Sequence, residues 1–100
     1  MNVRVADKLD KSEPSWFGVP IICETQKQKE ALVAHFEANK IQTRNYFGGN
    51  ILLHPAYSHL GDYKKYPNAN KTLDYVFFIG CSPVYNEKVL AYVEEVIRKW

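Results

Sequence analysis

Tyr75-Val76-Phe77-Phe78-Ile79 is the stretch on which the fold turns. It is an unbroken run of β-branched and aromatic residues, the composition of a well-buried strand. Gly80 to Pro83 turns the chain after it. Asn86 then caps a final helix. Its apolar positions Val89, Val93, Val96, Ile97 and Trp100 fall on one helical face. Arg98 and Lys99 sit at its carboxyl end, where they complement the helix dipole.

Upstream, Thr25 and Gln28 form a T-x-x-Q capping box, so a helix begins at Thr25. Leu32 and Phe36 share a face of it, and it ends near Asn39-Lys40. His35 on this helix reads as a surface or satisfied core residue, not a ligand. Trp16 to Cys23 is an apolar run containing Gly18 and Pro20. A proline cannot donate to a ladder, so this is expected to be an edge strand or a bulged one. Ile41 to Phe47 reads as a strand with imperfect alternation. His59 to Tyr66 suggests one helical turn closed off by Pro67, and Asn68 to Asp74 a short helix with Asn68 as its cap.

The order is strand, helix, strand, loop, strand, helix. That predicts an α/β fold: a small two-layer sandwich, a three-stranded sheet covered by two main amphipathic helices. Residues 1–14 are polar and without periodicity, so they are expected to be a tail or interdomain segment, with residues 15–100 forming one domain. The expected core is Trp16, Val19, Ile21, Leu32, Phe36, Ile41, Val76, Phe78, Val89, Val93, Val96 and Ile97.

The chain has 100 residues and a formal net charge of +2, with acids and bases interleaved. That argues against nucleic acid or an anionic membrane as partner. No apolar stretch approaches a membrane span, and no signal-peptide apolar region leads the chain. Cys23 and Cys81 each lie in an apolar run and read as small buried hydrophobes. Two reduced thiols suit the cytosol, although one disulfide between them stays open. There is no CxxC pair, and His54 and His59 are badly spaced for metal, so no metal site is expected. No nucleophile elbow, dinucleotide fingerprint or phosphate loop is present, so no catalytic residue is assigned.

The chemistry-bearing stretch is Thr43-Arg44-Asn45-Tyr46-Phe47-Gly48-Gly49-Asn50-Ile51-Leu52-Leu53-His54-Pro55-Ala56-Tyr57. Gly48 and Gly49 permit positive φ and close backbone approach. Arg44 offers a planar fork for phosphate or carboxylate. Asn50 both donates and accepts. Polar groups on an aromatic rim suit a polar, ring-shaped ligand. A tight connecting loop with Arg44 on a surface carboxylate is the plainer alternative.

Three blocks in this order resemble a known family. They are Ser12-Glu13-Pro14-Ser15-Trp16-Phe17-Gly18-Val19-Pro20-Ile21, the T-R-x-x-F-x-G-N-x-x-x-x-P-A-Y pattern from Thr43 to Tyr57, and Phe77-Phe78-Ile79-Gly80 followed by Pro83 and an amphipathic helix. Together they are similar to the C-terminal domain of the DegT/DnrJ/EryC1/StrS family of PLP-dependent nucleotide-sugar aminotransferases and dehydratases. Within it they look most like the lipopolysaccharide dideoxysugar 3-dehydratase branch. The resemblance spans roughly residues 9–100.

It implies the C-terminal small domain of a fold-type I PLP enzyme. The cofactor, with its Schiff-base lysine or the histidine that replaces it, would lie in a large PLP-binding domain outside these residues. Met1 would then be an introduced start. The implied ligand is a nucleotide-linked 4-keto-6-deoxyhexose, the implied full-length form a homodimer and the implied location the cytoplasm. Arg44, Asn50, His54 and Tyr57 would bind substrate, and Phe47, Gly48 and Gly49 would form a cofactor-proximal turn. Leu53 and His54 depart from the basic residue and Gln of the dehydratases, and Ser82-Pro83-Val84-Tyr85 departs from a more Gly-containing turn. Transamination and 3-dehydration both stay open. So does a different class: an independent small binding module for a phosphorylated ligand or partner protein. Severed from a large domain, the loop should present an apolar patch (Tyr46, Phe47, Ile51, Leu52, Leu53) beside an unpartnered Arg44.

Overall fold

The computed structural model describes residues 3–100; Met1, expected to be an introduced start, lies outside them. The elements are β1 (Arg4–Val5), β2 (Gly18–Ile22), α1 (Gln26–Ala38), β3 (Thr43–Asn45), α2 (Pro67–Tyr75), β4 (Val76–Gly80) and α3 (Glu87–Arg98). Three single 3-10 turns, Ile51–Leu53, Ser58–Leu60 and Tyr63–Lys65, lie between β3 and α2.

The strands form one antiparallel sheet in the order β1-β2-β4-β3. The α/β sandwich is therefore as expected, but the sheet has four strands among the described residues, not three. The extra strand comes from the segment read as a polar tail: Arg4 and Val5 pair with Ile22 and Ile21. Two exposed residues carry no hydrophobic period, so nothing in their pattern announces a strand.

β1 also moves β2 off the edge. The Pro20 carbonyl accepts from the Ala6 amide at 3.2 Å. A residue's N and C=O point to the same side of a strand, so the missing Pro20 donor faces the fraying end of β1. The β2–β4 ladder, in which Pro20 stands opposite Phe78, asks no donor of it.

α1 starts as its capping box dictates. Thr25 Oγ1 accepts from the Gln28 amide at 3.0 Å, while Gln28 Oε1 takes the Glu24 amide at 2.8 Å. It ends in a Schellman motif: Ile41 N donates to Phe36 O at 2.9 Å and Lys40 N to Glu37 O at 3.1 Å. The left-handed position, usually glycine, is Lys40 with φ 66°. α3 is capped by Asn86, whose Oδ1 accepts from Val89 N at 3.0 Å. In α2, Pro67 opens the helix, where its missing donor is harmless, and Asn68 does not cap it.

The helix-facing side of the sheet holds the core of Ile21, Cys23, Leu32, Phe36, Phe77, Ile79 and Val96, with Val19, Val33, Ile41 and Val93 packed against it. Phe77 is fully buried, its ring centroid 6.0 Å from that of Phe36. Strand period sends Phe78 to the opposite side. There it stacks on Phe47 at 5.6 Å and touches Phe17 and Tyr46. Phe17 and Phe47 remain 77% and 65% exposed. Phe77 thus replaces Phe78 in the helix-side core. Trp16, Val89 and Ile97, expected inside, are exposed. Trp16 precedes Gly18, the first residue of β2, and α3 turns its Val93–Val96 row, not Ile97, towards the sheet. Cys23 is buried, which pushes its thiol up. Cys81, expected to be buried, is exposed just past the end of β4; both thiols are free.

Candidate functional site

Arg44 stands on the edge strand β3, opposite Phe78. The strand is held at its start by Glu37, whose Oε1 accepts from Thr43 N at 2.7 Å and Thr43 Oγ1 at 2.8 Å. The amide bond first, and then the hydroxyl, hold the Glu37 carboxyl below its ordinary range. At its end β3 is held by Lys29, whose Nζ donates to Asn45 Oδ1 at 3.1 Å and Leu73 O at 2.7 Å. Burial lowers the Lys29 pKa, and the Asp74 charge opposes that shift.

Beside Arg44 a cleft of about 380 Å³ opens between the sheet end and α3. Its walls are Lys40, Ile41, Gln42 and Arg44 from the β3 side, Phe78 to Gly80 from β4, and Tyr85, Val89, Tyr92 and Val93. Tyr92 Oη donates to Asn39 O at 2.7 Å, tying α3 to the end of α1. Tyr85 lies over Gly80, where an added Cβ would meet its Oη, so a side chain here would push the Tyr85 ring aside. Lys40 and Arg44 bring two positive charges to the lining, and no carboxylate lines it. Arg44 makes no hydrogen bond or ion pair among the described residues.

The rest of the loop turns away from Arg44. Phe47 takes φ 54° and Gly49 φ 63°. A Cβ on Gly49 would lie 2.8 Å from the Leu73 side chain, so the backbone here rests directly on α2. Asn50 is 3% exposed and folds the loop. Its Oδ1 accepts from Leu52 N at 3.0 Å, and its Nδ2 donates to Tyr63 O at 3.2 Å and Asn70 Oδ1 at 2.8 Å. Both amide hydrogens are therefore committed internally. His54 Nε2 donates to Gly48 O at 3.0 Å and closes the Gly-Gly turn. Tyr57 is half-exposed at the head of the Ser58–Leu60 turn. A second, apolar groove of about 380 Å³ runs along Gly49 to Leu52, Leu60, Tyr66 and Ala69.

The candidate residues are thus divided between surfaces. Arg44 belongs to the cationic cleft, Phe47 to the aromatic face with Phe17 and Phe78, and Asn50 to the joint between loop and α2. Of the expected apolar patch, Phe47, Ile51 and Leu53 are exposed, while Tyr46 and Leu52 are half-buried. Lys40, Gln42, Tyr85 and Tyr92 were not singled out from sequence, because only the docking of α3 brings them to Arg44. His35 is satisfied as expected, its Nε2 donating to Val96 O at 2.7 Å. No cluster suited to a metal occurs among the described residues. No helix there is long and apolar enough to cross a membrane.

The model of the DegT/DnrJ/EryC1/StrS aminotransferase family matches residues 1–98. The chain belongs to this family. Among relatives of this DegT-family chain is a protein of Saccharopolyspora spinosa named dTDP-4-dehydro-2,6-dideoxy-D-glucose 3-dehydratase. It is 34% identical over 94 residues, covering 89% of this chain and 20% of the relative. A second is the lipopolysaccharide biosynthesis protein RfbH of Salmonella typhimurium strain LT2, 29% identical over 96 residues, covering 91% of this chain and 22% of the relative. The DegT-family chain therefore spans about a fifth of the length of these curated relatives.

The residues present do not form a cradle for PLP by themselves. Lys29 is the buried lysine among the described residues, and its Nζ is held in the joint between Asn45 and Leu73. In the Phe47–Gly49 turn Phe47 is exposed, and Gly49 rests on Leu73 of α2.

Proposed function

We propose that this chain is the C-terminal substrate-cleft domain of a PLP-dependent sugar enzyme, acting on a nucleotide-linked 4-keto-6-deoxyhexose in deoxysugar or lipopolysaccharide biosynthesis. What carries this is the family match combined with coverage: nine-tenths of the chain aligns with about a fifth of one relative named a dTDP-sugar 3-dehydratase and of another named a lipopolysaccharide biosynthesis protein. The cofactor and the catalytic lysine or histidine belong to a large domain beyond these residues. This chain binds and orients the sugar nucleotide and excludes water from the cleft.

The parts divide the work. Arg44 binds the ligand, while Asn50 and His54 hold the loop that follows it in shape. The Phe17–Phe47–Phe78 face seats the large domain, since rings this exposed on an isolated domain match a surface made to be covered. The full-length enzyme is a homodimer in the cytoplasm. 3-Dehydration is favoured over transamination, because the first relative is named a 3-dehydratase.

The test is turnover by the chain alone. With PLP and a nucleotide-linked 4-keto-6-deoxyhexose the folded chain should release no product. Product formation above a heat-unfolded control would overturn the assignment of the chemistry to another domain.

A further inference from the structure

We propose that Lys29 is a positioning residue for the Phe47–Gly49 turn, because its one ammonium joins the two places on which that turn rests. One is Asn45, the last residue of β3, whose Oδ1 accepts from Lys29 Nζ at 3.1 Å. The Asn45 carbonyl accepts in turn from Phe47 N at 2.7 Å, and that bond opens the turn. The other is Leu73 in the last turn of α2, whose carbonyl accepts from the same Nζ at 2.7 Å. Gly49 lies so close to this residue that an added Cβ would stand 2.8 Å from the Leu73 Cβ. The ammonium therefore links the entry of the turn to the helix beneath its exit. This role lies within the chain and does not rest on the proposed function.

The turn needs such a tie. Phe47 holds φ 54°, a strained conformation for a bulky side chain, which persists only where the surroundings impose it. Its ring is largely exposed, so burial of the ring does not fix the backbone. Lys29 suits the task. It is 8% exposed, which gives its ammonium a defined place. A carbonyl in the last turn of a helix carries the negative end of the dipole and favours a cation. Burial lowers the Lys29 pKa, while Asp74 of α2, Cys23 at the end of β2 and Glu30 on its own helix oppose that shift. Burying an ammonium costs stability, and an aliphatic residue would avoid that cost but could not join Asn45 to Leu73. A buried charge retained in this way selects one conformation of the segments that it bonds.

The test is a double-mutant cycle on the chain, read by amide hydrogen exchange and by the aromatic and methyl signals in NMR. Asn45 is exposed, so Asn45→Ala removes the tie on the turn side and leaves the core alone. The Gly49 amide, bonded to Tyr46 O at 3.3 Å, should then exchange about tenfold faster or more, the scale of one lost bond to a charged group. The Phe47 ring signals should shift, and those of Phe36 and Val96 in the core should not. Lys29→Met, which keeps the apolar stem and drops the ammonium, should change Gly49 and Phe47 in the same way. The double variant should do no more than Lys29→Met alone, since both changes break one tie. Asn45→Asp retains an acceptor for the ammonium and should keep Gly49 exchange near the wild-type rate. If Lys29→Met does not fold, the contrast between Asn45→Ala and Asn45→Asp decides. Additive effects in the double variant, an unchanged Gly49 amide in Asn45→Ala, or Asn45→Asp behaving like Asn45→Ala would overturn the positioning role.

Discussion

Phe77 and Phe78 are adjacent phenylalanines of similar burial, yet their truncation should cost very different amounts. Phe77 is fully buried, and its ring meets Phe36, which is also fully buried, in the helix-side core. Phe77→Ala removes the transfer free energy of the ring and leaves a cavity walled by two rigid layers. The expected loss is about 3–5 kcal/mol. Phe78 is covered chiefly by Phe17, Tyr46 and Phe47, and Phe17 and Phe47 are themselves largely exposed. Those rings can fall into the gap or water can enter it, so Phe78→Ala should forfeit little beyond the transfer term, about 2 kcal/mol. Small domains hold roughly 5–15 kcal/mol in all, so the first change removes a large share. Urea unfolding followed by tryptophan fluorescence and far-ultraviolet circular dichroism measures both. Equal losses, or a larger one for Phe78→Ala, would mean that the aromatic face is core and not a surface awaiting cover.

Three further expectations follow from particular contacts. The Glu37 carboxyl is held below its ordinary range by Thr43. Its contribution is therefore full above the unfolded value and lost as pH falls through the lower folded one, so the Thr43 amide should lose exchange protection only in the acid range. Burial lowers the Lys29 pKa, so between its folded value and the ordinary lysine value the unfolded chain binds more protons. Stability should then rise with pH in that alkaline window, and Lys29→Met should abolish that slope while costing about 1–3 kcal/mol from its two lost bonds. Unfolding curves at several pH values check both points. Lys40→Gly should stabilise the chain by about 1 kcal/mol, read as a higher urea midpoint, because a left-handed residue with a side chain is relieved.

The elements with local signals were legible in the sequence. The Thr25–Gln28 box and the Asn86 cap set helix starts through bonds between near neighbours. The Tyr75–Ile79 run announced β4 through composition alone. What was not legible depended on partners far along the chain. β1 is a strand only because β2 offers it a free edge. Which of two adjacent phenylalanines faces the helices is a matter of register, and a continuous apolar run carries no alternation to fix it. Asn50 reads from sequence as a ligand-binding amide, yet in the fold Tyr63 and Asn70 take its hydrogens. Lys40, Tyr85 and Tyr92 meet Arg44 only after α3 folds back, so no spacing in the sequence marks them.

The most direct test is kcat/KM for a nucleotide-linked 4-keto-6-deoxyhexose in the full-length enzyme carrying these residues, wild type against Arg44→Ala. Arg44 is exposed and has no partner among the described residues, so its removal should leave folding intact within about 1 kcal/mol. The expected result is a fall in kcat/KM of roughly tenfold or more, the scale of a lost charge-assisted contact to the ligand. An unchanged kcat/KM would contradict the assignment of this chain as the wall that binds the sugar nucleotide.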